Sequence, residues 1–441
     1  MQPELAIQPS DPEKAESSRG SMSKTVEAEP QLTQEQPPKP TFPEGGLQGW
    51  LTLAGATLVQ YCTFGYTNAF GVYQDFYVRE YLTNYTPADI GWIGGAQIFL
   101  IFSSGIVTGR AFDRGYFHHL MIAGAVLHAV ALFMLSLTHE NKYYQVLLAH
   151  GIGLGLSCGL CYIPSLTIVS HYFQKQRPLA MGIVTAGSAL GAVLHPIMLN
   201  NLFNGPLGFH NGVRVSAALN VFLLVVANLI MRTRLPPKAA SKLPIGDFAR
   251  DPPYVVAVFA GILVFCGLFF PVFYLQLDAI KHGIDRTFAF YSLAILNGAS
   301  IFGRTIPSIF APQLGVFNLL IFFTVGTGIV TLCMAAIKDI AGTTLFAIFI
   351  GFFSGASISL SAPMLGVLSR DISELGARIG VDFFFCGILG LFATPISGSL
   401  LTTEYHWLNA ILFAGITMIA AGGFFSITRW WIVKRRGTQI V

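Results

Sequence analysis

Arg304 stands in the apolar run 287–310, where a charged group is costly and therefore informative. A guanidinium so placed wants a bidentate carboxylate or a similar planar anion. The plainer alternative is that it snorkels to the membrane edge or caps backbone carbonyls. Asp382 is the second charge inside an apolar stretch, with Arg378 one turn earlier. That spacing permits an i,i+4 ion pair; the other reading is a carboxyl that takes up a proton during a working cycle. His195, just before Pro196, could titrate or bond a backbone carbonyl that the proline frees. Asn68, Gln97, Gln276 and Asn297 are neutral side chains suited to lining a cavity. Tyr66 and other aromatics (Tyr61, Phe64, Phe70, Phe269, Phe270) would suit a larger, partly apolar solute.

Other chemistry is excluded by spacing. No two of the ten histidines lie three or four apart on one helix, so no helix-borne metal centre is expected. Cys158 and Cys161 have CxxC spacing, but no second pair or nearby His completes a zinc set, and they read as packing residues. Gly151, Gly153, Gly155 and Gly159 are not a dinucleotide fingerprint, since no strand precedes them and no acid follows at the right distance. There is no P-loop. No catalytic residue, metal or cofactor is expected.

Composition identifies the elements that must hold these side chains. Of 441 residues 53% are hydrophobic and 11% charged, whereas a soluble domain carries about a quarter charged residues. The small, scattered excess of Lys and Arg argues against a nucleic-acid partner. The fit is an all-α membrane protein. Twelve stretches reach the roughly 20 apolar residues that a bilayer core requires. They lie near 48–76, 88–108, 118–137, 143–169, 178–203, 212–231, 253–277, 287–310, 315–336, 341–367, 375–401 and 407–432. Residues 1–46, rich in Pro, Gln, Ser and Glu, read as a disordered cytosolic tail. With the tail inside, fifteen Lys and Arg fall in inside segments and six outside, as the positive-inside rule requires. Asn84-Tyr85-Thr86 is the only glycosylation sequon and falls in the first outside loop. The Pro-rich segment 232–252 divides the spans into a six-helix bundle at 47–231 and another at 253–433, followed by a short cytosolic tail at 434–441.

The halves repeat at an offset near 200 residues. Gly155, Pro164, Arg177 and Pro196 find Gly355, Pro363, Arg378 and Pro395. This implies two related bundles with a solute site between them near the midplane. The same offset pairs Gly109-Arg110-Ala111-Phe112-Asp113-Arg114-Gly115, read as a cytosolic loop, with Ser308–Gly315, which has lost its charges. A charged loop can latch one conformation closed. Gly109, Asp113 and Arg114, with Arg177 and Arg378, are the latch candidates; the bland reading is a surface loop.

The 109–115 motif resembles that of the major facilitator superfamily, shortened by one residue. Two further stretches resemble the monocarboxylate porter family, in a style that looks fungal. One is Glu44-Gly45-Gly46-Leu47-Gln48-Gly49-Trp50, with one extra residue and one Trp fewer than the family pattern. The other is Tyr172-Phe173-Gln174-Lys175-Gln176-Arg177-Pro178-Leu179-Ala180-Met181-Gly182, continuing to Gly191. The resemblance covers about 43–436. It implies that Arg304 engages a substrate carboxylate. It also exposes two departures: Ser300 stands where proton-coupled members carry an acid, and Asn68 where they carry a lysine.

The expectation is a secondary transporter working by alternating access on a small acidic or amphipathic solute, with protons as a possible coupling ion. Efflux of a fungal secondary metabolite is favoured over uptake of a monocarboxylate or riboflavin. The alternative of another class is a non-transporting sensor. Asp382 and His195 are the proton-coupling candidates. The expected location is the plasma membrane, with both termini cytosolic.

Overall fold

Short polar side chains and glycines at the edges of the apolar runs set where each helix starts and stops. The computed structural model describes residues 44–235, 245–369, 374–401 and 407–441, and among them the runs form twelve helical spans. α1 begins as Gly46–Gln60 and widens through a π-turn at Tyr61–Gly65. It resumes after a break at Asn68 and Ala69 as Phe70–Phe76 and Tyr77–Tyr81. α2 is Pro87–Asp113, α3 Phe117–Leu135, α4 Tyr143–His171, α5 Arg177–Phe203 and α6 Gly208–Ile230. A short helix at Ile245–Ala249 precedes the second set. There α7 is Pro252–Lys281, α8 Arg286–Leu314, α9 Val316–Ala336 and α10 Ile340–Leu368. α11 is Leu375–Leu401 and α12 Trp407–Arg436. Ten of these are long and apolar enough by themselves to cross a membrane; α1 and α11 complete the set.

The caps are local. Thr86 and Asp89 form a reciprocal capping box at the start of α2, and Asp285 and Asp339 accept backbone N–H groups at the starts of α8 and α10. Each satisfies donors that the first helical turn leaves orphaned. Gly115, with φ +89°, ends the turn after α2, and Gly315, with φ +88°, ends α8. Left-handed geometry favours glycine at both, and the two are repeat mates. The stretch 109–115 is therefore not the expected loop: it is helical through Asp113.

Two expectations about the chain ends need correcting. Residues 1–43 lie outside the described residues, as do Pro236, Pro237 and Pro244 of the linker. Glu44, assigned to the tail from sequence, belongs to the fold. Its carboxylate accepts hydrogen bonds from the backbone N–H groups of Gln174, Lys175 and Gln176 at 3.2, 2.7 and 3.2 Å. Trp50 packs edge-on against Phe173, with ring centroids 5.5 Å apart. The two porter-like stretches thus meet as one unit. Val441, assigned to the other tail, is buried and accepts the Phe317 N–H at 2.8 Å.

The halves pack alike. α2 lies on α4 as α8 lies on α10. A Cβ added at Gly155 would meet Gln97 and Leu100, and one at Gly355 would meet Ser300. Two seams join the halves, α2 against α11 and α5 against α8. A Cβ on Gly109 would sit 2.1 Å from the Gly376 carbonyl oxygen, one on Gly380 2.2 Å from that of Gly105, and one on Gly182 2.4 Å from that of Arg304. Small residues permit such backbone approach, which packing alone must hold in lipid. These contacts lie toward the face that carries the linker, called here the linker face.

Replacing Gly109 with Val should cost about 1–3 kcal/mol of overpacking and lower Tm of the detergent-solubilised protein by several degrees. Gly423→Val, where an added Cβ meets nothing within 4 Å, should leave Tm unchanged.

A candidate solute cavity between the bundles

Arg304 lies in the α5–α8 seam, where Gly182 of α5 closes on its carbonyl oxygen, while the neighbouring Gly303 packs on Phe352 of α10. It is 5% exposed. Its Nη1 donates to the Thr185 carbonyl and to Ser188 Oγ, both at 2.7 Å, and its Nε donates to Ser300 Oγ at 3.1 Å. Ser300, in the place where the resembled family carries an acid, is thus a neutral acceptor. Among the described residues no carboxylate pairs with the guanidinium, and only Nε and Nη1 make hydrogen bonds. The side chain does not snorkel; it ties α8 to α5 and keeps one edge of its fork free.

Arg304 borders a cavity between the bundles with about 1120 Å³ free of protein atoms, mouth included. Its walls are aromatic, with Phe64, Phe102, Tyr162, Phe265, Phe269 and Phe383 among them. Its polar groups are Asn68, Thr185, Asn297, Ser300, Arg304, Asp382 and three serines of α10, Ser354, Ser357 and Ser361. Asn68 borders the cavity where α1 breaks; its Nδ2 donates to the Phe64 carbonyl at 2.7 Å. Asn297 Nδ2 donates to the Leu293 carbonyl at 2.9 Å. Among the described residues, no donor meets either amide oxygen. Pockets of this kind, apolar with a few convergent polar groups, suit small-molecule ligands.

The structure places several of the expected lining residues elsewhere. Tyr66 is buried in the N-terminal half, where its hydroxyl meets Tyr73 at 2.5 Å and Ser216 at 3.1 Å. Gln276 is half-buried on α7 and does not line the cavity. Gln97 is likewise turned into the N-terminal half, donating to Thr67 at 3.3 Å. Of the named aromatics, Phe64 and Phe269 line the cavity; Tyr61, Phe70 and Phe270 do not.

The Arg378–Asp382 ion pair is not formed either. Arg378 pairs with Asp251, the residue before α7, at 3.3 Å and with Glu374 at 3.5 Å. Its guanidinium also lies 4.7 Å from the Phe248 ring centroid and 4.9 Å from that of Tyr254. Arg378 therefore clamps the linker helix to α11, while Asp382 is left in the cavity wall. His195 does not bond a freed carbonyl: it packs between Tyr61 and Tyr66, with centroids 4.5 and 5.0 Å away, and neither ring nitrogen is hydrogen-bonded.

The other latch candidates gather at the linker face. Asp113 Oδ2 accepts the Ala377 N–H at 2.9 Å, so a carboxylate from α2 caps the first turn of α11 across the seam. Arg177 lies over Gly366 of α10. Arg114 is exposed. Asn84 sits on an exposed turn between α1 and α2. Sequence reasoning missed Asp251, Thr185 and the α10 serines. The serines' spacing of three and four residues along one helix face was the available signal.

Twelve helices in two pseudo-symmetric halves around a polar-and-aromatic cavity define a secondary transporter of small organic solutes. Residues 53–368 match the family model of the Major Facilitator Superfamily, and the chain belongs to that superfamily. It is 38% identical over 386 residues to an aspyridones efflux protein of Emericella nidulans, covering 88% of this chain and 78% of that one. It is 36% identical over 395 residues to an agnestins efflux protein of Paecilomyces divaricatus, covering 89% of each. The fold is similar to the crystal structure of the E. coli fucose:proton symporter, with TM-score 0.67 and 16% identity over 86% of this chain and 98% of that one.

Asp113→Ala removes a helix cap worth about 1 kcal/mol. The seam should open about fivefold more often. Labelling of a cysteine placed at Ala377 by a water-soluble maleimide from the linker face should rise accordingly in a cysteine-free background.

Proposed function

We propose that this protein exports an acidic, partly aromatic metabolite by alternating access, with Arg304 as the anion-binding group. The observation that carries the reading is the free edge of a buried guanidinium with no carboxylate partner, set in an aromatic wall. A buried cation lacking a counter-charge favours a ligand that brings one. The bonds from Nη1 to α5 also make Arg304 part of the linker-face closure. A solute anion that draws the guanidinium away from Thr185 and Ser188 would loosen that seam, so binding and opening share one side chain. Solute shifts the balance of states only through such differential contacts.

The similarity to the aspyridones and agnestins efflux proteins supports export and a bulky solute. The neutral Asn68 and Ser300 weigh against short monocarboxylates handled by the porter family's charged set. Membership of the monocarboxylate porter group is supported by the meeting of Glu44 and Trp50 with residues 173–176. The halves 47–231 and 253–433 act as the two rocking bodies; Asp113, Gly109 and Arg177 hold their linker-side closure, and Arg378 fixes the linker helix beside it. The charge bias supports a linker face and both termini in the cytosol, with the plasma membrane as the expected location and Asn84 outside.

The test is solute exchange in proteoliposomes, with aspyridone as the first probe because a relative is named for it. Loss of a charge-assisted hydrogen bond corresponds to about 10- to 100-fold, and Arg304→Ala should lose exchange by that factor while still reaching the membrane. Undiminished exchange in the Ala variant would remove the arginine from the mechanism.

A further inference from the structure

Among the described residues, Asp382 is the one acidic side chain in the cavity lining. It is 3% exposed and makes no hydrogen bond or ion pair among the described residues; its Oδ1 is shut off from solvent and has no partner. It faces Gly261 of α7, where an added Cβ would lie 3.1 Å from that oxygen. A carboxylate buried without a partner is strongly disfavoured, whereas a neutral carboxyl tolerates the same setting.

The groups around it offer no permanent counter-charge. From α7 come Tyr254 and Cys266. From α4 comes Tyr162, through the Phe383 ring at 5.7 Å. On α11 itself stand Cys386 and Arg378, the latter committed to Asp251 and Glu374. Arg304 of α8 borders the same cavity but is tied to α5. Arg110 and Asp113 of α2 lie toward the linker face, with Asp113 bound to Ala377. α10 carries no titratable side chain, and the first on α12, counting from Trp407, is Arg429.

We propose that Asp382 is the proton site of the transport cycle and that it must hold a proton for an anionic solute to occupy the cavity. The proposal rests on the anion-binding reading of Arg304 and adds what that reading lacks. A carboxylate in the wall would repel the solute anion, and a neutral carboxyl would not. Proton and anion therefore bind together and cross together, and a solute made inside at high concentration leaves with a proton. Asp382 also sits two residues from Gly380, which closes on the Gly105 carbonyl oxygen. Opening that seam on the linker face would admit water to the carboxyl, the step at which the proton exchanges. The position differs from that of the acid carried by the resembled family: it comes from α11 and the opposite seam.

The test has two arms. In the first, proteoliposomes trap a pH-sensitive dye and naphthalenesulfonate, an aromatic anion that carries no proton of its own. Efflux through the unaltered protein should make the lumen alkaline. Asp382→Asn should keep naphthalenesulfonate exchange while its proton flux falls at least about tenfold, and Asp382→Glu should restore proton flux. Proton flux retained in the Asn variant, or exchange lost together with it in a variant that still reaches the liposome, would overturn the proposal. The second arm needs no solute. Infrared difference spectra of the resting protein should show a protonated carboxyl stretch that titrates with pH and is absent in Asp382→Asn; no such band would also overturn it. If the unaltered protein does not move naphthalenesulfonate, the anion reading of Arg304 fails, and the infrared arm still decides whether Asp382 holds the proton.

Discussion

A positive charge held between two bundles without a negative one beside it is the constraint on which the rest of this structure depends. Two unit charges about 4 Å apart interact by about 4 kcal/mol at an effective dielectric of 20. An unpaired guanidinium gives up a gain of that order. Arg304 recovers part of it through neutral acceptors, the Thr185 carbonyl, Ser188 and Ser300. Those acceptors sit on both sides of a seam, so the residue that awaits an anion also holds the halves together. A pair with a resident carboxylate would be more stable and would leave nothing for a solute to satisfy.

The seams are built to be bistable. Glycine against glycine carbonyl, at Gly105–Gly380 and Gly109–Gly376, gives close packing without interlocking side chains. Such surfaces can part without leaving buried polar groups behind, apart from a few groups on the linker face. Asp113 on the start of α11 and Arg177 over Gly366 supply the polar grip there. Arg378 serves a different end: it fixes the linker helix through Phe248 and Asp251. The duplication shows here, since Arg177 and Arg378 are repeat mates that have taken up different work.

The sequence disclosed the parts that depend on cost. Arg304 and Asp382 stood out because charges in apolar runs are rare, and the repeat stood out because glycines and prolines mark close packing. What stayed hidden depends on which way a side chain faces. In helices apolar on every side, periodicity does not separate the cavity face from the core face. Tyr66 and Gln276 therefore fall outside the cavity lining, whereas Asn68 and Asn297 fall within it. The Arg378–Asp382 pair followed correctly from spacing and failed on competition: Asp251, distant in sequence and just before another helix, had the nearer claim. The loop at 109–115 proved helical because glycine is tolerated inside membrane helices whose neighbours pack against it.

The most direct measurement is a cryo-electron microscopy structure of the protein with an aromatic anion bound. The account predicts an anionic oxygen within hydrogen-bonding distance of Arg304 Nη2, inside the cavity and against its aromatic wall. An anion seated elsewhere, with the guanidinium still engaged only with Thr185, Ser188 and Ser300, would contradict it.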